Sequence, residues 1–102
     1  MANYLLLYRS GQTAGQQMAS MTAEQAEAEM QRWVAWGGVV GERMIDFGAP
    51  AADTDGIDGS YIGGYSILAA ETRDELDALI ADHPHRALGT IQVVELLPVP
   101  GM

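Results

Sequence analysis

The chain has two histidines, His83 and His85, which flank Pro84 directly after Asp82. An imidazole that titrates near neutral pH suits general acid/base work. The end of a helix favours its charged form. His83 follows Ile80 by three residues and Leu76 by seven, so it continues a helical stripe and is a candidate acid/base group facing a pocket. The alternative is a histidine that caps or packs that helix end. Glu42 and Asp46 are the candidate carboxylates to work beside it. On a strand they share a face but stand roughly 13 Å apart, too far to share a proton. Either would act alone as a base, or else join a salt bridge at a rim. Tyr65, Trp36 and His85 are the candidates for ligand contact.

Other chemistries find little support. The chain lacks cysteine, which excludes thiolate catalysis and cysteine-ligated metal. Asp82, His83 and His85 would need a further ligand from afar to hold a metal, and no metal or cofactor is expected. Asp53-Thr54-Asp55-Gly56-Ile57-Asp58 has the acidity of a calcium loop but not its spacing, and reads as an exposed turn. No serine sits in an elbow context, and Gly63-Gly64 is not a phosphate loop. Fourteen acids against five arginines and no lysine give a net charge of -9. That charge repels nucleic acid and anionic membranes. The N-terminal apolar run is too short for a signal or a span, so the expected location is the cytoplasm.

The elements that must position these residues read as β-α-β-β-α-β over a single domain, residues 1–102. With 48% hydrophobic and 19% charged residues the composition is that of a globular domain. Tyr4–Tyr8 is a short strand, apolar on both faces. Ser10–Met21 reads as a loop. Thr22 with Gln25 forms a capping box for a helix over Ala23–Trp36, which Gly37-Gly38 ends. Val39–Phe47 reads as the second strand and Gly48–Ser60 as a turn-rich loop. Tyr61–Ala70 is the third strand, where paired glycines point to a bulge or a close backbone approach. Thr72 with Glu75 caps a second helix carrying Leu76, Leu79 and Ile80, and Pro84 closes it. Gly89–Leu97 is the last strand. Right-handed crossovers place both helices on one face of a four-stranded antiparallel sheet, the ferredoxin-like α+β arrangement. Strands that are apolar on both faces leave an open face to cover, and a second copy would cover it as a barrel-like homodimer.

This order of elements resembles the YCII-related family. The resemblance is carried by Tyr4-Leu5-Leu6-Leu7, Gly63-Gly64-Tyr65, His83-Pro84, Gly89-Thr90-Ile91-Gln92-Val93 and Pro98-Val99-Pro100. It implies a ferredoxin-like protomer, a dimeric α/β barrel, and a pocket between sheet and helices. Part of that family pairs a helix-one histidine with an aspartate. This chain has Ala26 and Glu27 in that stretch, and the pair is not carried over. Asp58-Gly59-Ser60-Tyr61 matches only the first half of another branch's Asp-Gly-Pro-Phe signature. Two functions follow as expectations: an acid/base enzyme of isomerase or lyase type with its pocket near His83, or a non-catalytic small-molecule-binding or accessory dimer. Haem binding is a third, since related dimeric barrels can hold it.

Overall fold

The computed structural model describes residues 1–100. It is an α+β domain: β1 (Ala2–Ser10), α1 (Ala14–Ala19), α2 (Ala23–Val40), β2 (Met44–Asp46), β3 (Tyr61–Ala70), α3 (Arg73–Ile80) and β4 (Thr90–Leu96). Single 3₁₀ turns follow α2 at Gly41–Arg43 and precede β4 at Pro84–Ala87. The strands form one antiparallel sheet in the order β2-β3-β1-β4, compatible with a ferredoxin-like fold.

Alternation along the strands assigns the two faces. Tyr4, Leu6 and Tyr8 of β1 lie beside Leu68, Ser66 and Gly64 of β3. These residues are buried, and Trp36 and Val40 of α2 and Leu76 and Ile80 of α3 complete the core. Both helices therefore cover the same face. The opposite face carries Leu5, Leu7, Ile67, Val94 and Leu96, all at least partly exposed.

Three elements differ from the sequence expectation. The segment read as a loop at Ser10–Met21 contains α1, started by a capping box of its own. Thr13 Oγ1 accepts from the Gln16 backbone N–H, and the Gln16 side chain accepts from the Thr13 N–H. At six residues, α1 is too short to show an apolar stripe. Helix α2 runs through Gly37-Gly38 to Val40 and stops at Gly41, whose φ is 59°. Trp36 and Val40 sit four apart and are both buried, so packing carries the helix past the glycines. Strand β2 is consequently only three residues long, and Glu42 and Arg43 lie in the 3₁₀ turn rather than on a strand.

The glycine pair in β3 has both functions expected of it. The β1–β3 register shifts between Tyr8 and Arg9, leaving Gly63 as the extra residue of a bulge. A Cβ on Gly64 would lie 2.8 Å from the Ala49 carbonyl oxygen. Gly48 is tighter still: with φ 85°, its Cβ would fall 1.6 Å from the Tyr65 carbonyl oxygen. The segment Phe47–Pro50 is thereby laid directly on β3, and Pro50 bridges Gly64.

Candidate functional site

The sequence reason for a cavity is a set of walls without bulky side chains. Gly63, Gly64, Gly48, Ala49 and Pro50 form one side, and Ala14 and Ala26 of the two helical segments form part of the other. The space they leave is partly open, about 270 Å³ in volume, and its remaining lining is chiefly Met18, Met21, Met30, Trp33 and Phe47. Tyr8, Glu29 and His85 supply the ionisable side chains, and Tyr65, on the opposite parity of β3, borders the space.

Beneath the cavity runs a single hydrogen-bonded chain. The His85 backbone N–H donates to His83 Nδ1 at 2.9 Å. With Nδ1 occupied as an acceptor, the neutral ring carries its proton on Nε2. That nitrogen lies 3.0 Å from the Tyr8 hydroxyl oxygen and donates to it. The Tyr8 hydroxyl donates to Ser66 Oγ at 2.6 Å, and Ser66 Oγ donates to the Phe47 carbonyl at 2.6 Å. Every donor in the sequence His83, Tyr8, Ser66 has one acceptor, which is how a buried polar row avoids an unpaired group.

Burial sets the protonation of this row. His83 is 2% exposed, and its pKa falls from 6.5 to about 3. The main cause is desolvation, followed by the charges of His85 and Arg86. Burial pushes Tyr8 up to about 12, against a smaller lowering from the Ser66 hydrogen bond. Both groups are therefore neutral at pH 7. His83 touches two cavity residues, with ring centroids 4.8 Å from Tyr8 and 4.6 Å from Trp33, but it does not line the cavity itself.

Among the other candidates, the structure brings Asp46 and Tyr65 together and leaves Glu42 apart. Asp46 Oδ2 accepts from the Tyr65 hydroxyl at 3.0 Å, and Oδ1 accepts from the Gly48 N–H. That pairing raises the Tyr65 pKa, first through the hydrogen bond and then through the carboxylate charge. Glu42 is exposed on its turn. Trp36 is a core residue: its Nε1–H donates to the Leu79 carbonyl at 3.0 Å, and its ring lies 4.1 Å from that of His83. His85 does line the cavity, with Nε2 2.8 Å from the Arg9 carbonyl oxygen.

The sequence matches no protein-family model and no curated protein. Its chemistry is therefore read from its own residues. Among the described residues, no three His, Cys, Asp or Glu side chains come together as a metal site. Haem does not fit the cavity of one protomer. A cavity of about 150 Å³ takes one benzene, and a porphyrin is several times larger. Nor is there a helix long and apolar enough among the described residues to cross a membrane.

Several residues of the site carry no local sequence signal. Ser66 does carry one: it is a hydroxyl on the buried parity of an otherwise apolar strand, where a partner is required. Met18, Met21 and Met30 become a group only once α1 and α2 are folded. Glu29 is held by Trp33 Nε1–H on one oxygen and by Arg32 on the other.

Proposed function

We infer that this chain is a YCII-related domain that binds a small, largely apolar molecule in the cavity between α1, α2 and β3, as a cytoplasmic homodimer. The observation that carries this reading is the cavity itself, about 270 Å³ with a chiefly apolar and aromatic lining. Ligand sites are commonly of this kind, concave and apolar with a few placed polar groups. Methionines suit such a wall because their unbranched side chains adapt to an occupant. The open sheet face, with Leu5, Leu7, Ile67 and Val94, supports the dimer, since a second copy would remove that apolar area from water.

Binding is favoured over acid/base catalysis at His83. Both nitrogens of that ring are committed within the protein, and the ring stays neutral far below neutral pH. A catalytic base needs a free lone pair within reach of a substrate proton. The test is an NMR titration with 2-methylnaphthalene. Saturable shifts of the Trp33 indole N–H and of the Met18, Met21 and Met30 methyl signals are expected. An unchanged spectrum up to the solubility limit would overturn the reading.

A further inference from the structure

Nearly every ionisable side-chain atom bordering the cavity has a hydrogen-bond partner in the protein. Tyr8 donates to Ser66 and accepts from His83, Tyr65 donates to Asp46, and Glu29 receives Trp33 and Arg32. His85 is the exception. Its Nε2 faces a carbonyl oxygen, which only accepts, so that nitrogen carries the ring proton. In the neutral ring Nδ1 is then a bare acceptor, and it has no hydrogen-bond partner among the described residues. The residue is 4% exposed, and Nδ1 is not among the fully buried unpaired side-chain atoms, so a small donor in the cavity can reach it. A ligand O–H or N–H there would take the place of water as its donor.

Resting on the binding reading above, we propose that the occupant is an uncharged ring compound with one O–H or N–H, donated to His85 Nδ1. Size follows from volume. Benzene fills an apolar cavity of about 150 Å³, so this space takes roughly 10–12 heavy atoms. Charge follows from the lining. An anion would share the cavity with the Glu29 carboxylate in a protein of net charge -9. An ammonium group would lose its hydration among methionines and aromatic rings. A neutral phenol, alcohol or ring N–H meets both conditions.

The matched probes are 2-naphthol and 2-methylnaphthalene, which differ by a hydroxyl in place of a methyl. In the wild-type protein, 2-naphthol is expected to move the ¹⁵N resonance of His85 Nδ1, and 2-methylnaphthalene to leave it in place. His85→Phe is expected to weaken 2-naphthol binding about tenfold more than it weakens binding of the hydrocarbon. If that variant fails to fold, the ¹⁵N measurement on the wild type decides alone. An unmoved Nδ1 signal with 2-naphthol bound, or an equal loss of both probes in the variant, overturns the donor assignment and leaves the binding reading intact. Failure of both probes to bind the wild type overturns the binding reading, and the assignment falls with it.

Discussion

Tyr8 and His83 are separated by 75 residues in sequence, and 3.0 Å separates the Tyr8 hydroxyl oxygen from His83 Nε2. The contact ties the central strand β1 to the segment that ends α3. It also fixes the histidine tautomer, because His83 Nδ1 already accepts from the His85 N–H. What the sequence offers as a catalytic histidine is, in the fold, a neutral donor in a buried row.

Tyr8→Phe removes the oxygen that His83 donates to and the proton that Ser66 accepts. The expected loss is about 1–3 kcal/mol of folding stability. Ser66→Ala is expected to cost a similar amount, because it strands the Tyr8 proton and the Phe47 carbonyl. In urea unfolding, the double variant should lose less than the sum of the two singles. Additive losses would show that the row does not act as a unit.

His83 also sets a pH dependence. The unfolded chain takes a proton on this ring below about pH 6.5, and the folded chain only below about 3. Folding therefore excludes a proton throughout that interval, and stability falls as pH drops through it. By pH 4.5 the loss attributable to His83 is about 2–3 kcal/mol, at 1.36 kcal/mol per unit. Above pH 6.5 this contribution is constant. The measurement is the difference between wild type and His83→Gln across pH 4.5 to 7.5. A flat difference would contradict the assignment of His83 as a neutral, desolvated group.

Two glycine substitutions should have opposite signs. Gly48→Ala forces a Cβ to within 1.6 Å of the Tyr65 carbonyl oxygen at a φ of 85°, and a loss of more than ~3 kcal/mol is expected. Gly38 lies inside α2 with nothing within 4 Å of its added Cβ. Gly38→Ala should raise stability by about 0.5–1 kcal/mol. Thermal unfolding of both variants checks the pair, and a destabilised Gly38→Ala would mean that α2 does not continue past Gly37-Gly38.

The open sheet face makes the homodimer testable. Leu7 lies on that face beside Tyr65 of β3 and Gln92 of β4. Leu7→Glu is expected to give a folded monomer in analytical ultracentrifugation where the wild type sediments as a dimer. A wild type that remains monomeric at high micromolar concentration would remove the dimer from the proposal.

The parts of the fold legible in sequence are those whose pattern is both long and local. Strand β3 and helix α3 show this, the second through Thr72 and the Leu76–Ile80 stripe. Helix α1 escapes a reading of the sequence because a six-residue element has room for a cap but not for a stripe. Its cap, Thr13 to Gln16, has the same form as the Thr22 to Gln25 box that marks α2. Helix α2 ends beyond the glycines that resemble a stop, because Val40 is held by tertiary packing that no local pattern records. Of the site, Tyr65 and His85 line the cavity as candidates for ligand contact. Trp36 belongs to the core. His83 lies one contact away from the cavity, and only the pairing of β1 with β3 and the return of the chain after α3 decide that.

The sheet has one short border and one long one. Strand β2 offers three residues, and beyond it Pro50 and Asp55 bridge the remainder of β3. Strand β4 offers seven. Short strands and proline make a poor template for strand addition. The β2 border therefore resists strand addition, and β4 is the edge whose backbone an added strand would find unpaired.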